Sequence, residues 1–211
     1  MARRCPRPRR PDPTVPMNLI GLTGGIGMGK STAAQWLLGH GLPVVDTDQL
    51  ARDVVEPGQP ALAEILRAFG TNLAGPDGRL RRDELARRVF ADADARRQLE
   101  SITHPRIRAA WGERVAAWRA EQQPRGVVVI PLLYETEAAP LFDTIVCVAC
   151  SAATQRERLR ARGWTEEQLN QRIAAQWPIE RKMALAHYVV WTEGDLEVHA
   201  GQLERILRRI G

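Results

Sequence analysis

Lysine is nearly absent from this chain. Of its 30 basic residues only Lys30 and Lys182 are lysine, and the rest are arginine. Aromatic residues make up 5%, too few to interleave the stacking platforms of a single-strand nucleic-acid binder. A net charge of +5 and a pI near 9.7 therefore do not argue for RNA or DNA. Many of the arginines recur at helical spacing among Glu, Asp and Ala, the pattern of a solvated, ion-paired helix surface. Polyphosphate substrates account for the basic balance equally well, and no nucleic-acid partner is expected.

Cysteine is scarce too. Three residues are an odd number, and Cys147 and Cys150 form a C-x-x-C with no second ligand pair. Both fall in the apolar run from Ile145 to Cys150, where a cysteine is a small core residue. No apolar run is long enough to span a membrane, and no signal segment opens the chain. A cytoplasmic protein without a membrane partner is the expectation.

The 211 residues suffice for one well-buried core with an insertion. Residues 1–16 are rich in Pro and Arg without a periodic apolar face, which predicts a disordered basic tail. From residue 17 onward short apolar runs alternate with amphipathic segments. Strands are predicted at Leu19–Leu22, Val44–Val45, Val127–Ile130, Thr144–Val148 and Tyr188–Trp191. Helices are predicted from the glycine-rich loop to Gly39, then at Ala61–Phe69, Arg82–Phe90, Ala93–Glu121, Thr154–Arg162, Glu166–Ala175, Ile179–Ala186 and Leu196–Ile210. Such alternation implies an α/β protein: a parallel sheet covered on both faces, three layers deep. The core is expected at about 17–56 and 124–211, a helical insertion at about 57–123 and a lid at about 151–175, in a single domain.

Gly24 to Ser31 satisfies G-x-x-x-x-G-K-[ST], a phosphate-binding loop lying between an apolar strand and a helix-forming segment. Glycines at 24, 25, 27 and 29 let successive N–H groups turn inward around an anion. The helix that follows presents its positive end to phosphate. Lys30 can reach the β and γ phosphates, and the Ser31 hydroxyl can ligate Mg²⁺. The expected nucleotide contacts are Gly25, Gly27, Met28, Gly29, Lys30, Ser31 and Thr32.

Asp46-Thr47-Asp48 closes the second strand, where two carboxylates at i and i+2 point the same way, toward the ligand edge of a parallel sheet. That suits a general base for a substrate hydroxyl and a carboxylate linked to Mg²⁺. The alternative is a turn in which Asp46 or Thr47 caps a helix starting near Gln49. His104-Pro105 falls inside a long helical pattern, so a break or kink is expected there, leaving the imidazole at the break. It is a candidate substrate contact or a packed or solvated side chain. Arg158 and Arg162, one helical turn apart, are either a surface stripe or the cations of a lid that neutralises a transferring phosphoryl group.

The strings N-K-x-D and D-x-x-G of a switch GTPase are missing, and so is the triple-glycine segment of shikimate kinases. In order along the chain stand Leu22-Thr23-Gly24-Gly25-Ile26-Gly27, Gly29-Lys30-Ser31-Thr32, Val45-Asp46, Asp48, Ala51-Arg52, Phe69-Gly70, Asp77-Gly78, Leu80, Arg82, Leu85 and Val89-Phe90. They are followed by Leu99-Glu100, Ile102, His104-Pro105, Ile107, Pro131-Leu132-Leu133, Glu135, Gln155, Arg158-Leu159, Arg162, Arg172-Ile173 and Gln176. In this combination the chain resembles the dephospho-CoA kinases, over nearly everything after residue 18. The resemblance implies ATP-dependent phosphorylation of the ribose 3′-hydroxyl of dephospho-CoA, with ATP as donor, Mg²⁺ as cofactor and a monomeric enzyme. It implies Asp48 as base, Lys30 and Arg158 at the transferring phosphoryl, Arg162 assisting from the lid, and Asp48, Arg52, Arg82 and His104 around the acceptor. Ser31, with Asp48, would serve the metal.

The chain departs from that family at Met28, where Ser is usual, and at Asp46-Thr47-Asp48 in place of Asp-Ala-Asp. Ala186-His187-Tyr188 and Trp191-Thr192-Glu193-Gly194 replace the usual Ala-Asp and Asn-x-Gly near the adenine. The competing classes are a shikimate-kinase-like enzyme and a nucleotide-dependent binding module without chemistry of its own. Deleting residues 2–16 should leave steady-state kinetics unchanged, and a large loss of activity in the truncated chain contradicts a dispensable tail.

Overall fold

The computed structural model of the chain describes residues 17–211; the tail expected at 1–16 lies outside them. Five parallel strands form one sheet: β1 (Asn18–Gly24), β2 (Val44–Asp46), β3 (Arg125–Val129), β4 (Thr144–Ala149) and β5 (Tyr188–Trp191). Their order across the sheet is β2-β3-β1-β4-β5. Strand β1 is thus the middle one, in register with β3 through Leu22↔Val129 and with β4 through Gly24↔Val148.

Because side chains alternate across a strand, successive residues divide between two cores. Ile20, Leu22, Val127, Val129, Val146 and Val148 face α1 (Lys30–Gly39) and the last helix, α9 (Leu196–Arg209), together with Ala33, Leu37, Leu203 and Ile206. Leu19, Val128, Ile130 and Ile145 face the opposite way, onto Trp111, Val115 and Trp118 of α5 (Ala93–Ala120). Both faces are buried, as a parallel sheet requires.

Between β2 and β3 the chain builds a smaller core of its own. Helices α2 (Thr47–Asp53), α3 (Pro60–Phe69) and α4 (Arg82–Ala91) pack around α5, burying Val55, Ala61, Ile65, Leu73, Leu85 and Ile102. Two expectations change here. Helix α5 continues through His104-Pro105 without a break. Pro105 lacks the amide that would bond one turn back, but the guanidinium of Arg106 donates to the Ile102 carbonyl at 2.6 Å beside it. Packing of Ile102 below the proline and Trp111 above it holds both halves in one helix. Asp48, in turn, is not on a strand. The helix begins at Thr47, and the Asp46 carboxylate accepts from the Asp48 amide at 2.8 Å as its N-cap.

After β4 come α6 (Ala152–Ala161), α7 (Glu166–Ala174) and α8 (Ile179–Leu185). At the outer edge of β5 the Gln202 side chain pairs with the backbone of Trp191 in both directions, accepting from its N–H at 2.9 Å and donating to its carbonyl at 2.8 Å. No helix among the described residues is long and apolar enough to cross a membrane.

Close approach explains a glycine the loop does not use. A Cβ on Gly126 would stand 2.5 Å from Trp118 Cε3, so the indole must shift to admit one. Gly126→Ala should lower stability in urea by about 1–3 kcal/mol, the usual cost of overpacking. An unchanged denaturation midpoint contradicts that close packing.

Candidate active site

Parallel strands bring their C-terminal ends to one edge, and the phosphate loop leaves the middle strand there. Gly27 and Gly29 hold φ of 75° and 96°, and Gly29 is the left-handed N-cap of α1. At Gly24, a Cβ would lie 2.2 Å from the Val148 carbonyl. Side chains are excluded from the cradle by backbone geometry and by contact.

The loop is braced from outside. The Ile26 amide donates to Gln176 Oε1 at 2.9 Å, and Gln155 Nε2 donates to the Ile26 carbonyl at 2.7 Å. Leu159 of α6 sits where a Gly27 Cβ would fall. The Met28 side chain is buried with Ala149 and Cys150, its Sδ 2.7 Å from where a Gly25 Cβ would stand. Its amide donates back to Gly25 at 3.3 Å, and its carbonyl accepts from Thr192 Oγ1 at 3.0 Å. Ser31 and Thr32 open the first turn of α1 and are exposed.

Lys30 Nζ donates to the carbonyls of Gly24 and Gly25, at 3.0 and 2.9 Å. Burial pushes its pKa down to about 8, while the Asp48 charge raises it and that of Lys182 lowers it further. Asp48 keeps contact with solvent at the mouth of the site, but enough protein surrounds its carboxylate that desolvation pushes the pKa up. Asp46 adds to that rise, and Lys30 and Arg52 oppose it. Lys30 and Asp48 are therefore close enough for the charge of each to act on the other. Thr47 Oγ1 donates to the Val129 carbonyl at 2.9 Å, fixing the first turn of α2 to the end of β3.

The other expected residues divide between two flanks. On the Asp48 side, Arg82 donates to the Arg52 carbonyl at 3.0 Å and to Glu56 at 2.9 Å. His104 is exposed on α5, the helix against which α2 packs. Arg158 lies on the opposite flank, donating to Thr192 Oγ1 at 2.9 Å and to the Thr192 carbonyl at 2.6 Å, just past β5. Strand order puts β2 and β5 at opposite ends of the sheet, so Arg158 is held away from the Asp48 side. Arg162 ends the same helix and is exposed.

Sequence reasoning assigned no role to Gln155, Gln176, Thr192 or Glu193. Glu193 accepts from the Ser151 amide at 2.8 Å, Thr154 Oγ1 at 2.9 Å and Trp191 Nε1 at 3.1 Å. Hydrogen bonds from Ser151 and Thr154 hold its pKa down to about 2. It fastens the start of α6 to the end of β5, while His187 Nδ1 accepts from the Ile145 amide at 2.9 Å. At positions 187, 192 and 193, where the chain departs from its resemblance, the side chains bond to its own framework. Cys147 and Cys150 are buried free thiols, as expected of core residues.

A loop of this build on the middle strand, under a helical cover, defines a P-loop kinase of the small-molecule type. Solved structures share the architecture: a shikimate kinase from Acinetobacter baumannii superposes at a TM-score of 0.52 with 14% identity over 92% of this chain and 93% of its own, a likeness of fold alone. The family is narrower. Residues 18–197 match the family model of dephospho-CoA kinase, and the chain belongs to that family. It is 49% identical to the dephospho-CoA kinase of Anaeromyxobacter dehalogenans, over 90% of this chain and 91% of the relative. It is 38% identical to that of Bdellovibrio bacteriovorus, over 91% and 96%. The crystal structure of TT1252 from Thermus thermophilus superposes at a TM-score of 0.81 with 33% identity, covering 93% of this chain and 99% of that one.

Nucleotide binding to the free protein should weaken as pH rises through the Lys30 value of about 8, because the lysine loses the charge that meets phosphate above that point. Calorimetric ATP affinity should fall toward tenfold per unit above about pH 8. A flat affinity from about pH 7 to 10 contradicts a titrating lysine in the cradle.

Proposed function

We propose that the chain transfers the γ-phosphoryl group of ATP to the ribose 3′-hydroxyl of dephospho-CoA, giving CoA and ADP, the last step of coenzyme A biosynthesis. The observation that carries this reading is that Lys30, at the phosphate cradle, and Asp48, in the first turn of α2, act on each other's charge. A transfer between two substrates needs a cation where charge is handed over and a proton acceptor beside the entering alcohol. A binding module needs the first only. Family membership favours the enzyme over both the module and a shikimate-type kinase.

Asp48 accepts the proton of the attacking hydroxyl. Its raised pKa makes the carboxylate a stronger base than a solvated aspartate. Lys30 exchanges its two loop carbonyls for phosphate oxygens. Arg52 of α2 lines the acceptor side together with Arg82 and His104, which lie on the insertion spanning about 57–123. Arg158, held on Thr192 beside Met28 and Gly29 of the loop, serves the phosphoryl group from the lid (about 151–175), which Arg162 completes.

For Mg²⁺, the donors present are hard oxygens of the type it takes: the exposed Ser31 hydroxyl and the Asp48 carboxylate. Among the described residues no group of three or more His, Cys, Asp or Glu could hold an ion, so Ser31 and Asp48 would hold Mg²⁺ only together with ligands from the bound nucleotide. Bound there, Mg²⁺ neutralises charge on the transferring group. The enzyme is read as a cytoplasmic monomer.

The test is a coupled assay for ADP with and without dephospho-CoA. Acceptor-stimulated release is expected, and slow release indifferent to the acceptor contradicts the transfer. Asp48→Asn should keep ATP affinity and lower turnover about 100-fold, the scale of a lost general base; near-normal turnover removes Asp48 from that role.

A further inference from the structure

Lys182 heads the largest fully buried side chains among the described residues, with no exposed surface. A buried ammonium is costly unless fully bonded. This one donates to the Pro131 carbonyl at 2.7 Å and pairs with Glu135 Oε1 at 2.7 Å. Glu135 Oε1 also accepts from the Trp177 amide at 2.8 Å, and Pro131's carbonyl accepts from Thr23 Oγ1 at 3.3 Å. Thr23 is the residue before Gly24, at the base of the phosphate loop. Three segments therefore meet at one charge: α8, the turn after β3 and the strand leading into the cradle.

The place of that turn gives the cluster its meaning. Strand β3 lies between β2 and β1, so Pro131–Glu135 leaves the sheet between Asp48 and the phosphate loop. Whatever fixes this turn fixes the gap a phosphoryl group must cross. The residue type fits as well. In a chain whose other cations, Lys30 excepted, are all arginine, a compact ammonium stands at this fully buried position, where Pro131 and Glu135 supply two acceptors and a guanidinium would bring five donors.

Resting on the transfer reading above, we propose that Lys182 is a positioning residue for phosphoryl transfer: with Glu135 it sets the turn that spaces Asp48 from the phosphate loop. It touches neither substrate. Its loss displaces the reacting groups relative to each other while leaving each binding surface in place.

The test compares Lys182→Met with the double variant Lys182→Met/Glu135→Leu. Removing one partner strands a buried carboxylate, whose Oε2 already lacks a hydrogen-bond partner, so the single variant melts lower. Replacing both with apolar groups recovers part of that loss, the Trp177 amide being left without its acceptor. In both, kcat should fall at least about tenfold while the KM values for ATP and dephospho-CoA stay within about threefold, the signature of misplacement without lost binding. A folded variant with wild-type kcat overturns the proposal, as does a double variant that regains kcat along with stability. If neither variant folds, Glu135→Gln decides: the same kcat loss supports the role and unchanged turnover overturns it. Wild-type enzyme that fails to release extra ADP with dephospho-CoA overturns the substrate reading instead, which separates the two failures.

Discussion

A loop that grips phosphate with its own amides has few groups left with which to brace itself. Side chains are absent at Gly24, Gly25, Gly27 and Gly29 because backbone must approach the anion there, so beyond the Met28 and Lys30 bonds to the loop's own carbonyls the contacts holding it in shape come from other elements. Gln155 and Leu159 arrive from α6, Gln176 from the segment after α7, and Thr192 from beyond β5. Glu193 in turn ties the start of α6 to β5. The same helices therefore shape the cradle and cover it, and a displacement of α6 that withdraws Leu159 also takes Gln155 from Ile26.

Charge in the site follows the same economy of space. Burial drives Lys30 and Asp48 each toward its neutral form, and the charge of each resists the change in the other. Lys30 occupies its own loop's carbonyls, neutral acceptors that phosphate oxygens outcompete. Arg158 is similarly held by the hydroxyl and carbonyl of Thr192. Both cations rest on groups of the protein itself.

Local pattern made the strands legible, because alternation across β1, β3 and β4 divides their residues between two cores and leaves near-continuous apolar runs. Glycine spacing made the cradle legible for the same kind of reason: its geometry is written in consecutive residues. Asp48 was expected at a strand end, with a helix capped by Asp46 or Thr47 as the alternative, and the structure has the Asp46 cap. The helical start at Thr47 depends on an Asp46 cap and on an anchor to Val129 far along the chain. Pro105 carries a strong local signal for a break, which the packing of Ile102 and Trp111 overrides. The assignments of Thr192, Gln176 and Lys182 were out of reach, since each acts on partners distant in sequence. For Lys182 a faint signal existed in its rarity among arginines.

The pairing of Gln202 with Trp191 bears on what the molecule avoids. A carboxamide offers one donor and one acceptor with the spacing of a peptide group, so at this position the outermost strand already has the neighbour it would otherwise recruit. Another chain's backbone laid alongside finds no open valence at Trp191, although Val189 and Trp191 are apolar and exposed. The sheet is ended there by a side chain, which guards against intermolecular strand addition on the flank that holds Arg158.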